Sequence, residues 1–367
     1  MKLTGAELIV RLLELNRITT VAGIPGGANL PLYDALGASS IRHVLTRHEQ
    51  GAGFIAQGMA RASGRPAVCL GTSGPGATNL LTAIADAKLD SIPIVAITGQ
   101  VPRAMIGTDA FQEIDTYGLT VPITKHNFLV RSARDLLEVI PDALRIATSG
   151  RPGPVVVDVP KDVQTEAVEI GHLPAPARPD PPPRFSTDEI GRAAELINAS
   201  KRPLLLAGAG VIAAQASARL RRLIKRASIP TTATLLALGA LPHDHPLFLG
   251  MVGMHAARFT NLLLDECDLL IGLGVRFDDR ATGKAAEFCP RAKILHIDID
   301  PSELGKIKEP ALGVTADVGE ALSALRERYP LMVAGADDPL RPYGVIRHAA
   351  ALLPEDAIVT SDVGQHQ

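Results

Sequence analysis

Residues 67–99 read AVCLGTSGPGATNLLTAIADAKLDSIPIVAITG. The stretch begins and ends in continuous apolar runs, at 67–72 and 92–99, without the polar and apolar alternation of a half-exposed strand. Such runs are typical of strands that are covered on both faces in a parallel sheet. A turn of Gly, Ser and Pro and then a helical segment lie between them, so the stretch predicts one β–α–β unit of an α/β fold.

The same alternation continues on both sides of this unit and predicts several α/β domains. Residues 1–172 contain a further buried run at 154–160 and form the first domain, and the Pro-rich residues 173–187 form a semi-rigid linker. A second doubly wound domain follows at 188–332. Its predicted strands are 203–208, 268–274 and 293–300, and its predicted helices are 187–199, 215–227 and 317–329.

Residues 340–367 predict the start of another α/β unit, with a helix near 343–353 and a strand at 357–364. The sequence stops at Gln367, before this strand has a sheet to join. We therefore expect a fragment that is cut at the opening of a third domain.

Composition excludes several classes of protein. A net charge of −2, no Trp and 3% aromatic residues argue against nucleic-acid binding, so the basic run at 219–226 is interpreted as a solvated helix face. The three cysteines are widely spaced and outside any CxxC, which argues against a disulfide framework and a zinc site. Arg11 and Glu14 interrupt the apolar N-terminus, so it is neither a signal peptide nor a membrane span. We expect a cytoplasmic protein.

Two regions carry residues that suit a ligand site. In RHVLTRHEQGAGFIAQGM (42–59), Glu49 follows a strand-like piece and precedes a helix start, where a buried charge is costly unless something holds it. A carboxylate favoured by the helix dipole is the simpler explanation for Glu49 alone. The turn at 71–79 opens a helix with small residues, which favours either a bound anion or polar ring, or only a tight turn.

The second domain has features of a nucleotide site. Gly208, Gly210 and Ala213 follow a strand in the pattern G-x-G-x-x-A, although no acidic residue stands about twenty residues later, so a nicotinamide site is poorly supported. Beyond later strands, Arg276 is suited to a phosphate, and Asp298 or Asp300 to ribose hydroxyls. Surface salt bridges are the alternative. The histidines show no metal-ligand spacing and no nucleophile motif is present, which argues against a hydrolase triad.

Seven long segments together resemble one family: GIPGGANLPLYDAL (23–36), RHEQGAGFIAQGMARASG, TSGPGATNLLTAIADAKLDSIPIVAITGQV, IGTDAFQEIDTYG (106–118), ITKHNFLVRS, SGRPGPVVVDVPKDVQ and LGVRFDDRATGK. The chain is similar, in order and throughout, to the large catalytic subunit of acetolactate synthase (acetohydroxyacid synthase). The resemblance implies a thiamine-diphosphate-binding fold of successive α/β domains with doubly wound parallel sheets. It also implies thiamine diphosphate, Mg²⁺ and FAD as cofactors.

The resemblance assigns the transfer of a two-carbon unit from pyruvate to pyruvate or 2-oxobutyrate, in branched-chain amino acid biosynthesis. It places the thiamine pyrimidine in the first domain, FAD in the second and the diphosphate in the third. Glu49 would bind the aminopyrimidine nitrogen, and the other implied catalytic residues are Phe111, Gln112 and Lys161. The implied cofactor-binding residues are Ile24, Pro25, Gly26, Gly27, Ala28, Gly74, Gly76, Asn79, Arg151, Gly208, Gly210, His255, Gly274, Arg276, Asp298, Asp300, Asp317, Val363, Gly364, Gln365 and His366.

The family also implies at least a homodimer, because each active site forms between two subunits, and a small regulatory subunit as a partner. The metal ligands are unknown, because the family's metal motif would follow Gln367. AGAGV replaces the family's usual G-G-G run and GMHAAR its usual G-M-H-G, so contacts with the flavin could be looser. The alternatives are a non-catalytic flavin-binding module and a related 2-oxo acid decarboxylase or flavin oxidase.

Overall fold

The computed structural model describes residues Met1–Arg328. The predicted helix and strand within 340–367, and the predicted site residues Val363, Gly364, Gln365 and His366, lie outside the described residues. The chain divides into two compact units, Met1–Pro181 and a second that begins at Pro182. The division falls inside the Pro-rich segment 173–187.

The first unit has eight strands and seven α-helices in its described elements. The strands are β1 (Lys2–Thr4), β2 (Thr20–Gly23), β3 (Arg42–Leu45), β4 (Ala67–Gly71), β5 (Ile94–Gln100), β6 (His126–Leu129), β7 (Val155–Pro160) and β8 (Ala167–Glu169). The helices are α1 (Gly5–Leu15), α2 (Leu30–Gly37), α3 (Glu49–Ser63), α4 (Pro75–Asp90), α5 (Thr116–Thr120), α6 (Leu136–Thr148) and α7 (Lys161–Thr165).

Six of these strands form a parallel sheet in the order β3-β2-β4-β5-β7-β6, and β1 pairs with β8 in a small antiparallel sheet. Helices cover the large sheet on both faces. Val155 and Val157 pack with residues of α1 and α6, whereas Val156, which points the other way, packs with residues of α3 and α4. This arrangement confirms the interpretation of 154–160 as a strand buried on both sides.

The Pro-rich segment contains no helix or strand from 171 to 186, and its first part is fastened to the first unit. The amide of Ala177 donates to Asn16 at 2.7 Å, and the amide of Asp180 donates to Ser149 at 2.9 Å. The Asp180 carboxylate also pairs with Arg145 at 2.7 Å. These residues therefore lie against the first unit rather than forming a free spacer.

The second unit contains a second six-stranded parallel sheet in its described part. Its strands are β9 (Pro203–Ala207), β10 (Thr231–Ala233), β11 (Phe248–Met251), β12 (Leu269–Leu273), β13 (Lys293–Asp298) and β14 (Leu312–Thr315). Its helices are α8 (Thr187–Ala199), α9 (Ala209–Ala213), α10 (Ser217–Ala227), α11 (Arg258–Glu266), α12 (Asp279–Thr282) and α13 (Val318–Arg328). The strand order is β11-β10-β9-β12-β13-β14.

The predicted strands and helices of this unit match β9, β12, β13, α8, α10 and α13 to within two residues at each described end. The sequence patterns did not predict β10, β11 and β14, which have three or four residues each. Within residues 1–328, no helix combines the length and the apolar character that a membrane crossing requires.

Candidate active site

The first site lies at the carboxyl edge of the first sheet. Strand β2 has β3 on one side and β4 on the other, so the chain reverses its direction of strand addition at the β2–β4 boundary. Loops that leave neighbouring strands at such a switch point diverge and open a crevice for a ligand. The predicted residues Ile24 to Ala28 follow β2, Glu49 follows β3, and Gly74 follows β4.

Glu49 is the first residue of α3, and only 8% of its surface is exposed. The preceding residue, His48, caps the helix by accepting a hydrogen bond on Nδ1 from the amide of Gln50 at 3.1 Å. Asn79 of α4 donates from Nδ2 to Glu49 Oε2 at 2.9 Å. The structure therefore brings together two predicted site residues that are separated by 30 positions in the sequence.

The other carboxylate oxygen of Glu49 faces a part of the crevice lined by small residues. A β-carbon added to Gly76 would lie 3.4 Å from Glu49 Oε1 and 2.7 Å from the Thr72 methyl group. A β-carbon on Gly26 would lie 2.6 Å from Thr72, whereas one on Gly27 would meet no atom within 4 Å. Glycine at 26 and 76 therefore allows the two loops to close around Thr72 beside the carboxylate.

Three side chains fix the loop after β2. The amide of Gly26 donates to Asn29 at 2.7 Å, and the amide of Ala28 donates to the Thr72 hydroxyl at 3.2 Å. Gln164 donates from Nε2 to the Ala28 carbonyl at 2.8 Å. Thr72, Asn29 and Gln164 were not predicted as site residues. Thr72 lies inside the quoted turn, but no sequence pattern indicates its contact with the loop after β2.

Three buried side-chain atoms near Gly23 have no hydrogen-bond partner among the described residues: Tyr33 Oη, His43 Nε2 and Thr46 Oγ1. The Tyr33 and His43 rings pack edge to face with centroids 4.9 Å apart. Burial raises the pKa of Tyr33, and the negative charge of Glu49 contributes to the same shift. The hydroxyl group of Tyr33 thus stays protonated in the environment of the carboxylate, another feature that the sequence did not predict.

The chemistry of the crevice suits a polar ring better than an anion. Pro75 has no N–H group, and the amide of Gly76 is already bonded to the Ser73 carbonyl at 3.2 Å. An anion would also be repelled by Glu49. A polar heterocycle whose ring nitrogen can share a proton with a carboxyl group suits the buried carboxylate of Glu49.

Phe111 and Gln112 lie in the loop between β5 and α5. A β-carbon on Gly74, whose φ is +55°, would lie 2.6 Å from the Gln112 carbonyl oxygen, so this loop packs directly on the turn that opens α4. The Phe111 side chain is 87% exposed. Lys161 is the first residue of α7, directly after β7, whose last residue pairs with Gln100 at the end of β5.

Arg151 does not belong to this crevice. It lies in the connection that leads into the amino end of β7, and its Nε donates to Ser91 at the C-terminal end of α4 at 2.8 Å. Because the strands are parallel, this is the opposite edge of the sheet from Glu49. The structure therefore separates Arg151 from the other predicted residues of the first unit.

The second unit has its own switch point between β9 and β12, and its strand order is that of dinucleotide-binding sheets. Gly208 and Gly210 follow β9, and Gly274 follows β12. A β-carbon on Gly208 would lie 2.0 Å from the Gly274 carbonyl oxygen, so the two turns are in backbone contact. The amides of Gly208 and Gly210 donate to the carbonyls of Leu273 and Gly274 at 2.9 and 3.1 Å. These glycines thus permit close approach of the backbone but do not offer free N–H groups to a phosphate.

The other predicted residues of this unit lie along the same carboxyl edge. Arg276, in the turn after β12, pairs with Asp278 at 3.2 Å, and His255 is exposed in the connection before α11. Asp298 ends β13 and accepts from the amide of Asp300 at 2.9 Å. Asp317 follows β14 and accepts from the amide of Glu320 at 3.0 Å. Their positions agree with a nucleotide-sized ligand across this edge.

Within residues 1–328, no group of three or more His, Cys, Asp or Glu side chains is placed to hold a metal ion. Cys69, in the middle of β4, is completely buried, and burial raises its pKa to about 12. Its thiol is therefore a protonated core group, as the apolar sequence around it predicts.

Comparison with known proteins gives matches to two family profiles. "Thiamine pyrophosphate enzyme, N-terminal TPP binding domain" matches residues 3–119, and "Thiamine pyrophosphate enzyme, central domain" matches residues 190–325. The chain is 57% identical, over its whole length, to the acetolactate synthase isozyme 1 large subunit of Escherichia coli and covers 68% of that protein. It is 47% identical, over 99% of its length, to a probable acetolactate synthase large subunit of Methanocaldococcus jannaschii and covers 67% of it. It is 42% identical to the isozyme 2 large subunit of E. coli, with 69% of that protein covered.

Proposed function

Because this chain belongs to the acetolactate synthase large subunits among the thiamine pyrophosphate enzymes, we propose that the whole protein is an acetolactate synthase. It decarboxylates pyruvate and joins the two-carbon unit to pyruvate or 2-oxobutyrate, a transferase step of branched-chain amino acid biosynthesis. The chain spans about two thirds of the length of the relatives described above. The activity is therefore assigned to the complete enzyme.

The observation that supports this proposal most directly is the buried carboxylate of Glu49 in a glycine-lined crevice at the switch point of the first sheet. Thiamine diphosphate, when bound, supplies the electron sink that decarboxylation of a 2-oxo acid requires. Glu49 holds or shares a proton at the ring nitrogen of the pyrimidine, and the hydrogen bond from Asn79 orients the carboxylate. Gly27, where an added β-carbon would meet no atom within 4 Å, leaves space for the ring, and Gly26 and Gly76 let the two loops close beside the carboxylate.

The remaining residues of the first unit have supporting roles in the proposal. Pro25, Gly74 and Gly76 shape the pyrimidine site, and Phe111, Gln112 and Lys161 act on the substrate. Gly364, Gln365 and His366 contact the diphosphate, and Mg²⁺ binds with it.

The second unit, residues 188–332 of the predicted domain, is proposed to bind FAD. The strand order of dinucleotide-binding sheets supports this proposal. The flavin would lie along Gly208, Gly210, His255, Gly274 and Arg276 and along Asp298, Asp300 and Asp317. The family resemblance assigns Arg151 to the flavin as well. FAD has a structural role here, because the proposed reaction has no net oxidation.

The proposal extends to partners and location. The exposed Phe111 suits a site completed by a second subunit, so the enzyme would be a homodimer or a larger homo-oligomer. The relatives are named large subunits, which supports a small regulatory subunit as a further partner. The enzyme would act in the cytoplasm.

The test compares Glu49→Gln with wild type in the full-length enzyme, supplied with thiamine diphosphate, Mg²⁺, FAD and pyruvate. Acetolactate formation should fall about 10²- to 10⁴-fold, the usual effect of losing a proton-transfer group. Glu138→Gln makes the same chemical change at an exposed first-turn position of α6 and should retain the wild-type rate. Equal rates for the two variants would exclude Glu49 from the mechanism, and release of acetaldehyde or reduction of the flavin would indicate a decarboxylase or an oxidase instead.

A further inference from the structure

A buried carboxyl group in the first unit plays no part in the site described above. Asp158, in β7, is 2% exposed. Its Oδ1 accepts a hydrogen bond from the Thr98 hydroxyl at 2.7 Å, and its Oδ2 accepts one from Gln100 Nε2 at 2.9 Å. Thr98 stands opposite Asp158 in the β5–β7 ladder, and Gln100 is two residues further along β5. All three side chains therefore lie on one face of the sheet.

Gln100 connects this buried group to both ends of the loop that follows β5. Its Oε1 accepts from the amide of Val101 at 2.8 Å, where the loop begins. Its Nε2 also donates to the carbonyl of Ile114 at 3.0 Å, where the loop ends. The Gln100 side chain is 2% exposed; its bond with Val101 is buried, and its bond with Ile114 is partly buried. Asp158 accepts from the same Nε2 group and thereby fixes the orientation of the amide.

The loop fastened in this way carries Phe111 and Gln112. Gln112 has a φ of +58°, and its backbone contacts Gly74 at the start of α4. Inside the loop, the amide of Gly107 donates to Glu113 Oε1 at 2.9 Å. Gln100 thus joins the loop's base to the sheet, while Phe111 at its tip remains exposed.

We propose that Asp158 and Gln100 are positioning residues, which hold the 101–114 loop so that Phe111 and Gln112 meet the substrate in a fixed orientation. The kinetic part of this inference rests on the proposed function, which places Phe111 and Gln112 at the substrate. The structural part, the fastening of the loop by Gln100, is independent of it.

The electrostatics of Asp158 support a role beyond packing. Burial raises its pKa to about 7, against the lowering effect of the hydrogen bonds from Thr98 and Gln100, and the negative charge of Asp115 adds to the rise. A carboxyl group buried without a cationic partner costs free energy that an apolar residue in the same place would not. Asp158 nevertheless provides the acceptor that Gln100 needs in order to turn its amide toward Ile114.

The first test is Gln100→Met in the full-length enzyme, which keeps the side-chain length and removes both hydrogen bonds to the loop. Hydrogen exchange in peptides from residues 103–115, measured by mass spectrometry without added cofactors, should become about 10-fold faster, as expected for loss of a buried hydrogen bond. Gln57→Met is the matched control, because Gln57 is 3% exposed and donates to the Ala83 carbonyl at 2.8 Å, away from this loop. It should leave exchange in 103–115 unchanged.

The second test separates positioning from stability by kinetics. Gln100→Met should raise KM for the 2-oxo acid about 10-fold with a smaller change in kcat, because the substrate-facing residues are misplaced rather than removed. The single variant Asp158→Asn should keep hydrogen exchange and KM near the wild-type values, since its amide oxygen accepts from Gln100 and its NH₂ group donates to Thr98. Asp158→Leu, which lacks any acceptor, should behave like Gln100→Met.

The outcomes distinguish the two proposals. Unchanged exchange and unchanged KM in Gln100→Met would overturn the positioning role, even if Phe111→Ala proves Phe111 to be part of the site. If Phe111→Ala has no kinetic effect while Gln100→Met accelerates exchange, the fastening of the loop stands and the proposed role of Phe111 fails. An Asp158→Asn variant as impaired as Asp158→Leu would also contradict the inference.

Discussion

At the scale of single residues, Glu49 illustrates how one position admits two explanations. A carboxylate in the first turn of a helix is stabilised by the helix dipole whether or not it has a function. Glu138 of α6 is such a case, and its side chain is exposed. In contrast, only 8% of the surface of Glu49 is exposed, and its side chain lies against Asn79 and Gly76. Stabilisation by the helix dipole does not require the carboxylate to be buried. The free-energy cost of burying it therefore indicates a group that binds there.

Asp158 leads to a prediction about pH and stability. Its pKa, ordinarily 3.8, is raised to about 7, so the folded protein holds this proton more tightly than the unfolded chain does. The stabilisation from this proton is complete below about pH 4 and is lost as the pH rises through about 7. Asp158→Asn has no such charge, so its unfolding free energy relative to wild type should rise between pH 4 and pH 8, by on the order of 4 kcal/mol. Urea denaturation of both proteins at pH 4 and pH 8 measures this, and the same difference at both pH values would contradict it.

At the scale of secondary-structure elements, the turn that opens α4 determines where the next loop lies. Gly74 has φ +55° and ψ −113°, a combination that residues with a β-carbon rarely adopt. Its Cα also lies against the backbone of Gln112. One glycine therefore satisfies both the start of a helix and the packing of the Phe111–Gln112 loop.

Two glycine variants can test whether Gly74 serves both the start of α4 and the packing of the loop. Gly74→Ala should lower the free energy of unfolding by roughly 2 to 4 kcal/mol, because backbone strain adds to a clash with Gln112. Gly107→Ala shares the strain, with φ +78°, but its β-carbon would meet no atom within 4 Å, so it should cost only about 1 kcal/mol. Chemical denaturation measures both. Equal losses of unfolding free energy in the two variants would show that the contact between Gly74 and Gln112 does not add to the cost of Gly74→Ala.

At the scale of the whole molecule, both units have a switch point in a parallel sheet, but the residues at the two switch points make different contacts. Each has a six-stranded parallel sheet whose switch point carries glycine-rich turns. In the first unit Gly26 and Gly76 let two loops close around Thr72 beside the carboxylate of Glu49. In the second unit Gly208 and Gly210 close against Gly274, and their amides are used within the protein. The same class of sheet thus carries a buried carboxylate at the switch point of one unit and a close-packed backbone edge at that of the other.

The packed edge of the second unit should be sensitive to a single added methyl group. In Gly208→Ala the β-carbon would lie 2.0 Å from the Gly274 carbonyl oxygen, so the turns after β9 and β12 must move apart. We expect a loss of about 2 to 3 kcal/mol in unfolding free energy and weaker FAD binding. Gly313→Ala is the control, since its nearest contact, at 3.3 Å, is the end of the flexible Leu304 side chain. Thermal unfolding and flavin titration of both variants test this, and matching behaviour would contradict the role of the contact.

Part of the fold and of the site could be predicted because short sequence patterns determine it. Continuous apolar runs identified β4, β5, β7, β9, β12 and β13, since a strand covered on both faces must be apolar at every position. The short strands β10, β11 and β14 were missed because three or four residues, some of them Thr or Gly, carry no such run. Glu49, Gly76 and Asn79 were predicted through the family's motifs, in which they are embedded.

The sequence by itself determined the α/β class, the family and the residues of its motifs. Only the tertiary structure decided the strand order, and with it the switch points at which Glu49 meets Gly76 and Gly208 meets Gly274. It alone also joined Asp158 through Gln100 to the carbonyl of Ile114. The physical reason is that such contacts depend on which strands become neighbours and how closely two backbones approach. Both are set by the packing of the whole sheet and its helices, and no short segment carries that information.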